Sequence, residues 1–265
     1  MKSVCTVWAV VVLLGAGWAG AQEAPTSEEA KTGFSVDLSL TIPSSYVFRG
    51  YVIQDNRFIV QPEAFVTYTT NVGGFQVAPY VGAWANFTDV QAPGDPNCFD
   101  ELDLYAGVDI ELGSDFTLGM IYTYYMSPGN AFDDIHEVGV TLTHADVVNP
   151  TVGIYRELCN KNGDENTYIE LGINPGFDVP QVEKLRLDFP CTMGLSPDKY
   201  YTHTDGGGAW VGYFQVGVHA TYSFTDSLSC MVGVEYWNLH ADSTQASNDG
   251  DEHQFVALVG VKFSQ

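Results

Sequence analysis

Between Glu101 and Tyr125 the chain alternates apolar and polar side chains with a period of two, and this narrows the choice of folds more than any other stretch. Leu102, Leu104, Ala106, Val108, Ile110 and Leu112 stand on one side of an extended chain, and Glu101, Asp103, Tyr105, Gly107, Asp109 and Glu111 on the other. Gly113-Ser114-Asp115 reads as a three-residue turn, after which Phe116, Leu118, Met120, Tyr122 and Tyr124 resume the apolar face opposite Thr117, Gly119 and Thr123. Strands of soluble sandwiches run about 5 to 6 residues and need a second sheet against one face. Arms of about ten residues, with Tyr122, Tyr124 and Tyr125 gathered near one end, instead suit strands tilted across a bilayer and ending in an aromatic girdle. The acids then face a lumen.

The same rule recurs along the chain. A first strand alternates Phe34, Val36, Leu38, Leu40 and Ile42 and is expected to continue past Pro43, a bulge or weak point, to Phe48. Further strands are expected at 58–70, 75–87, 101–112, 116–125, 135–143, 151–158, 167–173, 183–195, 213–224, 228–238 and 255–263. That makes about twelve, an even number as bacterial barrels require. Long connections (49–57, 88–100, 127–134, 159–166, 196–210, 239–254) alternate with short ones (71–74, 113–115, 145–150, 174–181, 225–227), as in a barrel with long outer loops and short periplasmic turns. The closing strand, with Phe255, Ala257, Val259, Val261 and Phe263, resembles the C-terminal assembly signal of outer-membrane proteins, although Ser264-Gln265 follow the aromatic. The fold expected for residues 33–265 is an all-β, transmembrane, antiparallel up-and-down β-barrel.

The ends and the composition agree with this. Met1–Ala21 has one charge at Lys2, an apolar core over Val4–Trp18 and a small-residue cleavage site at Ala19-Gly20-Ala21, and reads as a secretory signal. Residues 22–32 form a polar, Glu-rich lead expected on the periplasmic side. Tyr and Phe number 15 each and charged residues are only 16%, which suits a lipid-facing belt. A net charge of −23 excludes a nucleic-acid binder that works by neutralising phosphates.

Tyr46-Val47-Phe48-Arg49-Gly50, followed by Gln54 and Asp55, resembles the opening of the TorF-type porins of Gram-negative bacteria, most specifically over Phe34 to Trp84. The family usually carries a Ser/Thr-rich turn after the Arg-Gly pair, whereas this chain has Tyr51-Val52-Ile53. The resemblance implies a barrel and little about the solute. Arg49 reads either as a cation at the constriction or as a tether from the first loop to a nearby carboxylate.

Asp37, Glu63, Glu101, Asp103, Asp109, Glu111, Glu170 and Glu235 all fall opposite the apolar stripe, against Lys184, Arg186 and Lys262, so the lumen is expected to be acidic. Cys98 and Cys159 fall in outer loops and either form a disulfide or stay unlinked. Asp133-Asp134 with His136, and Ser243 with His240 or His253, lack a recognisable catalytic motif, and 248–252 lacks the full spacing of a calcium loop. No enzyme, cofactor or metal is expected. The function expected is a passive, cation-preferring outer-membrane channel for small neutral or cationic solutes. The partners expected are outer-membrane lipid, lipopolysaccharide and the barrel assembly machinery. A closed structural or partner-binding barrel is the alternative, and a membrane enzyme acting on lipid or peptide a third.

Overall fold

The computed structural model describes residues 32–89, 98–113, 115–128, 132–159 and 165–265, with Cys159 described in its backbone only. The expected signal segment and nearly all of the polar lead lie outside the described residues. In chain order the strands are β1 (Gly33–Pro43), β2 (Ser45–Phe48), β3 (Tyr51–Asp55), β4 (Ile59–Val72), β5 (Phe75–Thr88), β6 (Phe99–Glu111), β7 (Phe116–Met126) and β8 (Ile135–His144). They continue as β9 (Thr151–Cys159), β10 (Thr167–Ile173), β11 (Gly176–Asp178), β12 (Leu185–Asp188), β13 (Cys191–Leu195), β14 (Val211–Ser223), β15 (Leu228–Leu239) and β16 (His253–Ser264). One short helix, α1 (Asp242–Ala246), lies between β15 and β16.

The wall closes because β1 pairs antiparallel with both β4 and β16, while β14 pairs with β15. β10 and β11 are two parts of one wall strand, and β12 and β13 of the next, so the wall is a closed antiparallel barrel of twelve strands. Pro190 lies in the second break, and β12 and β13 dock on successive parts of β14. The short connection expected at 174–181 therefore contains β11, and the chain reverses over 179–184 instead. The β4–β5 turn holds Gly73 and Gly74 at φ +61° and +90°, the pair of left-handed conformations that a two-residue hairpin needs.

Alternation sorts the faces. The wall strands turn apolar side chains outward, among them Val81, Ile154 and Val232 at 60, 51 and 56% exposure. A continuous belt of this kind costs free energy against water and matches hydrocarbon. Tyr122 stays on that face, but Tyr125, expected in the girdle, points inward and is buried. The reason is parity: Gly119, Ile121, Thr123 and Tyr125 share one phase of β7, and all four are buried or partner buried groups.

Inward glycines stand beside inward rings. Tyr80 lies opposite Gly107, Tyr105 opposite Gly82, Tyr155 opposite Gly139 and Tyr213 opposite Gly194. Each ring covers the glycine so closely that a Cβ there would collide with it. These pairs explain part of the glycine content and fix the ring positions inside the barrel.

The first strand ends at Pro43 and does not run on to Phe48. Pro43 is the last β1 residue to pair with β16, opposite Leu258, and Ser44 closes the ladder by exchanging bonds with Ala257. The chain then leaves the wall. β2 and β3 pair with each other alone, so the connection expected at 49–57 is largely one arm of a small hairpin.

Candidate functional site

The β2–β3 hairpin lies inside the barrel at the end where the long connections gather. Ser45, Tyr46 and Val47 are each at most 3% exposed. Tyr46 Oη donates to Glu101 Oε2 on β6 at 3.0 Å, and its ring lies 5.5 Å from Trp84 on β5. Phe48 meets Tyr125 of β7 edge-on, and Gln254 of β16 donates to Ser45 Oγ at 2.9 Å. Tyr51 Oη donates to the Tyr200 carbonyl at 2.6 Å, and the Val52 amide to Ser247 Oγ at 2.9 Å. The hairpin thus touches walls on opposite sides and two long connections. Around it runs one buried apolar cluster with members from β4, β5, β6, β7, β9, β10, β14, β15 and β16.

At the tip, Arg49 and Gly50 both take positive φ, +50° and +82°. Gly50 tolerates this freely, and a Cβ on it would also strike the Tyr213 ring, so the turn has room for glycine alone. Arg49, a non-glycine residue, sits there because its side chain is held from all sides. Its Nη1 and Nη2 donate to Glu137 Oε2 and Oε1 at 2.6 and 2.7 Å, a two-pronged ion pair. The guanidinium carbon lies 4.2 Å from the ring centroid of Tyr168, 4.7 Å from Tyr155, 4.8 Å from Phe48 and 5.7 Å from Tyr200. Tyr125 Oη adds a 3.0 Å bond to Glu137, and Tyr201 Oη donates to the Arg49 carbonyl. In the structure Arg49 ties the first connection to the Glu137 carboxylate.

The other acids read from the sequence lie on the inner wall but form no single cluster. Glu101 receives Tyr46; Glu63 accepts from Tyr105 Oη at 2.7 Å; Glu170 accepts from Tyr168 Oη at 2.7 Å. Asp37 pairs with Lys262 at 3.0 Å, Glu111 accepts from Gln76, and Glu235 bonds His219 and Trp237. Asp103 Oδ1 and both carboxylate oxygens of Asp109 are buried with no hydrogen-bond partner among the described residues. Glu137 and Glu157 line the same wall and were not among the expected acids. The signal for them was present: Glu137 is out of phase with Val138, Val140 and Leu142.

The long connections are pinned over the hairpin by carboxylates. Burial pushes Asp198 up, but bonds from Ser196 Oγ and from the Thr167 and Tyr200 amides outweigh it and hold it below the usual carboxylate range. Arg156 lies 3.3 Å away. Asp242 is held low by the Thr204 hydroxyl and amide.

Elsewhere the expected readings find other uses. Cys98 is a free, exposed thiol, and the Cys159 side chain lies outside the described residues. His136 stacks on Tyr124 at 4.5 Å and bonds Tyr122, on the outward face. Ser243 Oγ is taken by Tyr51 and the Thr202 amide, and His253 by Tyr236, so the serine and that histidine have separate partners. Among the described residues no group of three or more His, Cys, Asp or Glu is placed to hold a metal ion.

Residues 27–185, more than half of the chain, match the model of a family described as bacterial protein of unknown function (Gcw_chp). The chain belongs to this family. The matched span of the Gcw_chp family includes the Tyr46–Gly50 element and the hairpin, but brings no activity with it. No curated protein matches in sequence. In fold, this member of the family is similar to an outer membrane channel from Pseudomonas putida F1, 10% identical, with a TM-score of 0.52 over 92% of this chain and 100% of that one. It also aligns with the NanC porin (10% identity, TM-score 0.45, 86% and 98% coverage) and the KdgM porin (10%, 0.44, 86% and 98%). At such identities the first likeness is one of fold, that of an outer-membrane barrel.

Proposed function

We propose that this protein is an outer-membrane channel for small neutral or cationic solutes, held closed by its own β2–β3 hairpin. The observation that carries the reading is the group of buried carboxylate oxygens without hydrogen-bond partners among the described residues, Asp103 Oδ1 and both of Asp109. Burying a carboxylate in a dry interior is costly, so on this reading these groups meet water or a passing cation when the path opens. The acidic wall favours cations over anions, and the hairpin sets when the path is open. The reading places the mature chain in the outer membrane after cleavage near Ala21, assembled there by the barrel machinery and set among lipid and lipopolysaccharide. A second reading, a closed structural or partner-binding barrel, is favoured by the dense packing around the hairpin.

Recording in planar bilayers separates the two. Wild-type protein is expected to open rarely, and a variant with 45–55 replaced by a short turn to open often. Its reversal potential in a KCl gradient should favour K⁺, less so when Glu101, Asp103, Asp109 and Glu111 become amides. A folded, heat-modifiable variant without the hairpin that passes no current would leave the closed barrel as the function.

A further inference from the structure

The groups that hold the Arg49 guanidinium belong mainly to the barrel and not to the hairpin. Glu137 stands on β8, Tyr155 on β9 and Tyr168 on β10, with Tyr200 over them from the 196–210 connection. Only Phe48 comes from the hairpin itself. Each wall group is fixed by contacts that do not involve Arg49. The Tyr155 ring is seated over Gly139 and Gly153, where a Cβ would meet it. Tyr168 Oη is bonded to Glu170 and Tyr213, and Glu137 accepts from Tyr125. Withdrawal of the hairpin would leave standing two aromatic faces and a carboxylate aimed between them.

From this geometry we infer that the Glu137–Tyr155–Tyr168 pocket is a binding site for a guanidinium group carried by a solute, which tethered Arg49 occupies in the closed state. This rests on the channel reading and narrows its cationic solutes to those bearing a planar guanidinium. The planar fork matches the two-pronged carboxylate contact and stacks on rings, whereas a compact ammonium does neither as well. A pocket already held in shape spends little of its binding free energy on ordering. Arg49 is displaceable because its tip is a left-handed, non-glycine turn kept in place by that same pocket. A solute that takes the pocket releases the hairpin, so the substrate opens its own path.

The test uses methylguanidinium and, as comparator, methylammonium. Titrated calorimetrically into purified full-length Arg49→Ala protein, methylguanidinium should bind saturably at one site, and methylammonium more weakly. Adding Glu137→Gln to that variant should weaken methylguanidinium binding roughly ten- to a hundredfold, the usual worth of a hydrogen bond to a charged group. In the wild-type chain, methylguanidinium should speed trypsin cleavage after Arg49 relative to cleavage after the exposed Arg57, because Arg49 becomes accessible only when the hairpin withdraws. This second measurement needs no pocket variant to fold, and neither needs the protein to conduct. Absence of saturable binding, binding undiminished by Glu137→Gln, equal binding of methylammonium, or an unchanged cleavage ratio would each overturn the inference. Failure of conductance with binding intact would overturn the channel reading alone.

Discussion

Glu137→Gln keeps the shape of the side chain that grips Arg49 and removes its charge, so it isolates how strongly the hairpin is held. Both partners are nearly fully buried, with contacts of 2.6 and 2.7 Å. Removing one partner of such a pair costs about 3 to 5 kcal/mol, since the other is left buried and uncompensated. The rings of Tyr155 and Tyr168 keep their share of the attraction, which argues for the lower end. Taken as about 3 kcal/mol, this lowers the ratio of seated to withdrawn hairpin by roughly two orders of magnitude. Hydrogen–deuterium exchange of peptides spanning 45–55 reads that ratio, with wall peptides as the internal reference. Exchange in the hairpin is expected to rise about a hundredfold in Glu137→Gln and comparably in Arg49→Met, with the wall unchanged. Because both substitutions remove one interaction, the double variant should be little worse than either single one. Exchange within about threefold of wild type, or effects that simply add, would refute the view that this ion pair holds the hairpin.

Three further outcomes follow from the geometry. Val140, outward and half exposed, should cost about 2 to 4 kcal/mol when changed to Arg near mid-membrane, and a loss under about 1 kcal/mol in urea titrations in lipid would refute the lipid face. Cysteine placed at Gly206 or Asn248, in long connections, should label from outside intact cells, and cysteine at Asp226 in the β14–β15 turn should not; equal labelling would invert the orientation. Gly139→Val must push away the Tyr155 ring, to which an added Cβ would come within 2.5 Å, and should cost about 1 to 3 kcal/mol in stability while loosening the hairpin. Hairpin exchange unchanged in that variant would show that Tyr155 contributes nothing to holding Arg49.

The wall was legible because its rule is short. In β6 every second residue from Leu102 to Ile110 is apolar, and one face must meet lipid, so parity and register followed from that run alone. The hairpin was not legible because Ser45–Phe48 continues the extended pattern of β1. Only the missing amide of Pro43 marks the point where the chain turns inward, and a proline at a strand edge permits either outcome. Tyrosine hid the site for a related reason. The same side chain suits a membrane interface and a lumen, so Tyr125, Tyr168 and Tyr213 could not be sorted by type, only by phase and, for Tyr213, by the glycine opposite it. Arg49 stood out as a charge beside aromatics, whereas its partner Glu137, eighty-eight positions on, was one acid among many.

The order of the hairpin in the chain sets an order of events. Ser45–Asp55 is made early, yet its contacts include Tyr200, Tyr201, Tyr213, Ser247 and Gln254, which are made last; the bond from Gln254 to Ser45 spans 209 residues. The seat is therefore complete only once β14, β15 and β16 are in place, and β16 is also the strand that joins β1 to close the wall. Contacts of such separation come late and slowly. A nascent barrel of this kind passes through a stage with its wall forming and its centre still hollow, and the bolt slides home after the door has been hung.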